Sequence, residues 1–440
     1  MALSAATVWN VRTDGDDTNG GGYVSGGTDH SLQAGTVYSV TDGVTNGTTT
    51  ITSATAAFGT DVVGNIMYVQ GGTGSVVANR YQIITRTSAT AVVVDRTTGL
   101  TSGTGVTLKI GGALLSPGLL TSSAPCSAIS GNAVNIKSGT YNITATTAVA
   151  GGVIAPALRI KYEGYGTTPG DLGTAPQLVA SGISSAALVS LATDGSMIVN
   201  IGVSGASLTA IRGFTLEAVV AYRCYAALCP NSGFGGAADT TFVDCWATLC
   251  ETAGFIGGSA FYCTAHDNAA PGFSNVKTVG CIADSNTGGT SDGFLLGATD
   301  GVSAVNCVSY NNDRDGFRCT ADANLVMNCL SASNTGVGVN GQGTGTARLY
   351  CGTHDETATG GTIILEQGNI TGTGSFFTDA PNRDFSLNNT SGAGASARAA
   401  GFPGALLDGG TGYIDMGALQ HQDSGSGGGS RGFGMTGGMS

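Results

Sequence analysis

The chain of 440 residues holds 74 glycines, only 10% charged residues and a formal net charge of −12. That balance excludes nucleic acid or an anionic membrane as a main partner, because both would repel the chain. So much glycine excludes a mainly helical fold, and no apolar stretch is long enough to insert into a bilayer.

Residues 1–36 are polar and glycine-rich, with Trp9 and Tyr23 as the large anchors, and are expected to cap the first coil of a solenoid. The opening MALSAATVWNVRTDGDD lacks the basic start and apolar core of a signal peptide. Residues 37–110 alternate apolar and polar side chains in short runs (VYSVTD, NIMYVQGG, RYQIITRTSATAVVVDR). They predict a small β-barrel or sandwich module. The long solenoid is expected over 111–360, then a closing segment over 361–420. A low-complexity tail occupies 421–440 (GSGGGSRGFGMTGGMS).

The solenoid rests on a repeat. Six units begin at Cys224, Cys245, Cys263, Cys281, Cys307 and Cys329, and each ends in Gly followed by Phe, or by Val337 in the last. A period near twenty residues, with short apolar runs divided by Gly and Asn, suits one coil of a β-solenoid. Because side chains alternate along a strand, a buried Cys implies burial two residues on. Those residues are Ala226, Ala247, Ala265, Ala283, Ser309 and Ser331, all small. Five residues after Cys come Cys229, Cys250, Asn268, Asn286, Asn312 and Asn334. Stacked at the interstrand spacing, the asparagines can bond their amides along the axis. The Gly before each Phe is expected to supply a turn forbidden to other residues. Most of the eleven cysteines thus read as small core hydrophobes, although a Cys229–Cys250 disulfide is geometrically conceivable. No His/Cys spacing matches a zinc site, and neither metal nor cofactor is expected.

The segments VWNVRTDGDDTNGGGY, SGTYNIT, EGYGTTPGD and FFTDAPNRDFSLNN…YIDMGALQH resemble right-handed parallel β-helix proteins of the pectate-lyase-like superfamily. They look most like the uncharacterised versions found in bacteriophages and environmental bacteria. The resemblance implies an all-β, right-handed parallel β-helix. It carries no catalytic motif, and fold alone does not assign function.

Sites on such a fold lie on outer faces and loops. Positions three and four after each Cys face a turn: Leu228 and Leu249 in early units, then His266 with Asp267, Asp284 with Ser285, and Tyr310 with Asn311. The apolar early pair predicts a covered region and the polar later ones an open region. His266, Asp267, Asp284, Tyr310 and Arg314 are the candidate glycan-binding residues. Asp292, Asp313 and Asp315 are the acids to test for glycoside hydrolysis, whereas Lys277 and Arg318 are the other bases nearby and would supply a lyase poorly. Asp and Asn are also common in turns for local hydrogen-bonding reasons. The residue after each Cys should point outward, and Tyr225, Trp246, Ile282, Val308 and Leu330 make that stripe apolar. Either a loop of the same chain covers it or it packs around a threefold axis, the favoured expectation being a homotrimer.

The leading functional expectation is a bacteriophage virion protein (spike, fibre or capsid decoration). It would be made in a host cytoplasm, assemble with other virion proteins and present a face to a host-surface glycan. The alternatives are a polysaccharide depolymerase, hydrolase or lyase, on the same fold, and a purely structural particle component.

Overall fold

The computed structural model describes residues 3–419 except 75–77, 99–101, 120–125, 127–128, 144–158, 181–186, 192–193, 206–211, 298–300, 355–356, 399 and 403–414. The expected tail at 421–440 and part of the closing segment lie outside the described residues.

Each coil carries three short strands. The coil that opens at Phe234 runs Phe234–Gly236, Thr241–Val243 and Trp246–Thr248. The next runs Phe255–Ile256, Ser259–Phe261 and Thr264–His266. Equivalent strands pair in parallel and in register, Phe234 with Phe255, Val243 with Phe261 and Trp246 with Thr264. The result is three long faces: a first bearing the phenylalanines, a second, and a third that follows each Cys and contains 11 strands.

Register turns the repeat into ladders. Phe214, Phe234, Phe255, Phe273, Phe294 and Phe317 stack with ring centroids 4.7–4.9 Å apart and planes within 9° of parallel. That separation is the strand spacing itself. The six unit cysteines and the small residues two positions on are buried. In the asparagine ladder, Nδ2 of Asn268 donates to Oδ1 of Asn286 at 2.9 Å. Asn286 donates to Asn312, and Asn312 to Asn334, at 2.8 Å each. The same Oδ1 atoms accept the backbone N–H groups of the preceding coil at 3.0–3.1 Å. Each rung therefore satisfies a buried backbone donor as well as its own amide. Cys229 and Cys250 occupy the same position earlier in the stack and are not joined; all eleven cysteines are free and buried. Burial pushes the Cys319 thiol up to about 12, which keeps it protonated and unreactive.

The glycines before each Phe have a different role from the expected one. None of Gly233, Gly254, Gly272, Gly293 and Gly316 has a positive φ. A Cβ on Gly293 would lie 2.2 Å from Ser309 Oγ and 2.8 Å from the Gly316 carbonyl oxygen, and one on Gly254 2.8 Å from that of Gly272. These positions require glycine because adjacent coils approach too closely for any side chain. The left-handed turns fall elsewhere, on the residue before each Cys and the fourth after it, as at Asp244 (φ 51) and Leu249 (φ 54), or Asn306 and Asn311 (both φ 52). Two such corners bracket every described third-face strand of the repeat and make the bends sharp.

The solenoid begins before the β-rich module, since Val8–Val11 pairs in parallel with Ala133–Lys137. Six antiparallel strands between Tyr38 and Ile110 close into a barrel inserted between these two. Arg80, fully buried, joins the barrel to the cap. Its guanidinium donates to the carbonyls of Asn19, Gly20 and Asp17 and lies 4.6 Å over the Tyr68 ring.

At the other end the chain folds back over the third face. Phe376, Phe377, Phe385, Leu387, Ala397 and Met416 form a cluster with the outward residues Val308 and Leu330. This second core lies outside the coils, and it holds a polar turn of the C-terminal segment against them.

Candidate functional site

Register brings His266, Asp284 and Tyr310 into one outward column of the third face. Across them lies a turn of the C-terminal segment. Phe377–Asp379 pairs antiparallel with Asp384–Leu387, and the one-turn helix Ala380–Asn382 connects the two. The rings of Phe377 and Phe385 meet Tyr310 edge-on at 6.0 and 5.7 Å and seat the turn. Pro381 fixes its first residues. The turn ends at Arg383, which is held at φ 63 with its N–H donating to the Ala380 carbonyl. A left-handed conformation is unfavourable for arginine. It aims the side chain back at the solenoid.

The Arg383 guanidinium gathers the column. Nε donates to Asp284 Oδ2 at 3.1 Å, and Nη2 to Asp267 Oδ2 and to His266 Nδ1 at 2.8 Å each. Because Nδ1 of His266 accepts, its proton sits on Nε2. Asp284 is almost fully buried, and burial pushes its carboxyl above the usual range while Arg383 and His266 pull it back. Its Oδ1 accepts no hydrogen bond among the described residues. Beside this cluster opens a cleft of 590 Å³ lined by Asp284, Ser285, Tyr310 and Asn311 from the coils and by Ala380, Pro381, Asn382 and Arg383 from the turn. Asp379 and Asp384 flank the turn, so carboxylates outnumber guanidinium groups among the described residues around it.

Of the predicted glycan-binding residues, His266, Asp267, Asp284 and Tyr310 come together here. Arg314 does not: its guanidinium grips Asp292 through Nε to Oδ1 at 2.7 Å and through Nη2 to Oδ2. The expected acids are largely withdrawn from solvent. Asp292 is fully buried in that pair. Asp315, also buried, accepts the Val337 N–H at 2.9 Å and the Asn340 amide at 2.7 Å. Asp313 is exposed, yet its Oδ2 accepts the Gly288 N–H at 2.7 Å. Asp292 and Asp313 thus brace the longer loop of the Cys281 unit, where the spacing to Phe294 exceeds that of its neighbours.

Two further expectations are corrected. The later coils are the covered ones, and the early ones are open: Leu228 and Leu249 are 44% and 51% exposed, whereas Asp284 is 2% exposed. The outward stripe is likewise covered in part by its own chain. Val308 and Leu330 are buried under the C-terminal segment and Ile282 packs against the same cluster, so the exposure behind a threefold contact is missing at these positions. Tyr225 and Trp246 stay half-buried. Arg383 and Asn382 are not among the residues that sequence reasoning singles out. The signal available is the polar turn APNRDF, whose docking place the repeat does not encode.

No protein-family model matches the chain, and no curated protein matches it. Solved structures do. Pectate lyase Pel9A superposes with a TM-score of 0.52 at 17% identity, covering 67% of this chain and 89% of its own. The A-module of Azotobacter vinelandii mannuronan C-5 epimerase AlgE4 gives 0.41 at 17% identity over 51% and 69% of the two chains. The tailspike protein gp49 from Pseudomonas phage LKA1 gives 0.24 at 11% identity over 84% and 68%. In fold, the chain is a parallel β-helix protein of the pectate-lyase-like type.

Proposed function

We propose that the chain is a glycan-binding protein of a bacteriophage particle (a spike, fibre or capsid decoration) that uses the cleft under the C-terminal turn. The observation that carries this reading is the commitment of the carboxylates around the cleft. Asp284 and Asp267 are both tied to Arg383, and Asp292 and Asp315 are buried in bonds of their own. Hydrolysis needs one carboxyl to protonate the leaving oxygen and a second to act on the sugar or a water. Binding needs an aromatic face and hydroxyl or amide groups. Tyr310, Ser285, Asn311 and Asn382 supply these, and the unmet Asp284 Oδ1 is an acceptor for a sugar hydroxyl.

The charge balance of the cleft narrows the ligand class. With Asp267, Asp284, Asp379 and Asp384 around one arginine, a polyuronate would be repelled. A neutral oligosaccharide would not. Eleven unpaired thiols fit folding in a reducing cytoplasm, as for a protein assembled into particles inside a host cell.

The test is calorimetric titration with neutral and uronic-acid oligosaccharides. Neutral chains are expected to bind, and Tyr310→Ala or Asn311→Ala to weaken binding at least about tenfold. Preferential binding of uronates overturns the ligand class. Release of reducing or unsaturated ends, lost in Asp313→Ala, converts the reading to a depolymerase. Recovery of the chain with purified particles checks its virion place.

A further inference from the structure

We infer that the second face of the solenoid is a self-association surface that takes a second copy of this chain. Its outward column runs in register from Tyr222 through Val243, Phe261, Val279 and Val305 to Met327 and continues to Leu349. Every rung is apolar and half-buried, in contact with its neighbours above and below but with no covering segment among the described residues. The seven strands from Met197–Val199 to Leu325–Met327 contain no Asp or Glu and one Lys. In a chain with 29 acidic residues and a net charge of −12, this face lets two copies approach without carboxylates meeting.

Size and period identify the occupant. Seven rungs at about 4.8 Å make a column about 29 Å long on strands about 10 Å wide. That gives a planar apolar patch on the order of 300 Å², large for a lone soluble chain. Val220 (37% exposed) and Tyr262 (43% exposed) widen it at the rim. The area falls short of the roughly 800 Å² per partner of a standard interface, so the association should be concentration-dependent. A column of side chains at constant strand spacing interdigitates best with another of the same period, and a second β-helix face supplies one. Such an isologous contact closes on itself. The third-face stripe cannot serve along its whole length, because the C-terminal segment already occupies its later half.

The experiment is light scattering across a concentration series, with far-UV circular dichroism and thermal unfolding as folding controls. The wild type is expected to shift from one chain's mass to a multiple of it. Val243→Lys with Val305→Lys should stay at one chain's mass with its dichroism retained. Ile256→Lys, the same change on the first face, should associate like the wild type. A wild type that stays monomeric at every concentration overturns the proposal. So does a double variant that associates unchanged, which would place the contact elsewhere. A monomeric wild type whose melting temperature drops sharply in the double variant would show that the chain covers this face itself.

Discussion

The early and late coils of the third face share one backbone and differ only in what lies on top. In both, Cys, a small residue and an Asn or Cys point inward, and two left-handed corners bracket the strand. Outside, Leu228 and Leu249 stand 44% and 51% exposed, whereas Val308 and Leu330 are 1% and 0% exposed under the C-terminal segment. The interior of a solenoid is set by nearest neighbours, which repeat. The exterior is set by a segment more than forty residues away in sequence from the last repeated Cys, and that segment makes the cleft.

If the interiors are equivalent, removing a ladder phenylalanine should cost the same anywhere in the stack. Phe255→Ala and Phe317→Ala are each expected to destabilise by about 3–5 kcal/mol, read by chemical denaturation. A loss under about 1 kcal/mol at either would show that the Phe stack is not continuous. The exteriors should diverge. Leu330→Ala, a surface substitution by repeat position, is expected to cost about 2–5 kcal/mol as a core one.

The turn that makes the cleft depends on its arginine. Arg383→Met leaves Asp284 buried without a partner, which costs several kcal/mol for a fully enclosed pair. Because Arg383 is about half exposed, solvent screening reduces the expected loss to about 1–3 kcal/mol. Asp284→Asn in the same background should restore part of it, since the stranded charge goes too. No restoration in that double variant would mean that the ion pair does not hold the turn.

Inside the coils almost everything is legible in the sequence, because alternation and stacking are local rules and each repeat restates them. The small residues after Cys and the asparagine rungs follow from strand period alone. The glycines invite the wrong cause: a residue that allows a turn and one that allows close approach are both written Gly, and their difference lies in the Gly316 carbonyl beside Gly293. At the site, the column His266, Asp284, Tyr310 is legible as a set of outward positions. Arg383 is not, since nothing in APNRDF says on which coil it docks. Asp292 looks available in the sequence because turn acids usually are; its pairing with Arg314 depends on two loops of different length meeting one coil apart.

Acidity separates the two kinds of carboxylate. Burial raises Asp284, Asp292, Asp244 and Asp95. The folded state therefore holds those protons more tightly than the unfolded chain, and stability rises as pH falls through their raised values toward about 4. Asp14, Asp16 and Asp171 are lowered by hydrogen bonds from Arg12, from Thr18 and from four backbone N–H groups respectively. Their contribution is lost only below the ordinary value of about 4. The melting temperature should hold or rise from pH 7 to about 4.5. A steady fall across that range would mean that other groups dominate.

The smallest effect should come from the open coils. Leu249 occupies a left-handed corner at φ 54, a conformation that costs leucine about 1 kcal/mol and asparagine less. Leu249→Asn gains that relief and gives up a half-buried apolar side chain, at about 25 cal/mol per Å² of the area it keeps from water. The two terms are similar in size and opposite in sign. The net change should lie within about ±0.5 kcal/mol, against more than about 2 kcal/mol for Leu330→Ala. Paired denaturation curves of these two variants measure the contrast directly. A loss above about 2 kcal/mol at Leu249 would show that the early coils are covered as well. The difference between the two halves of the face would then vanish.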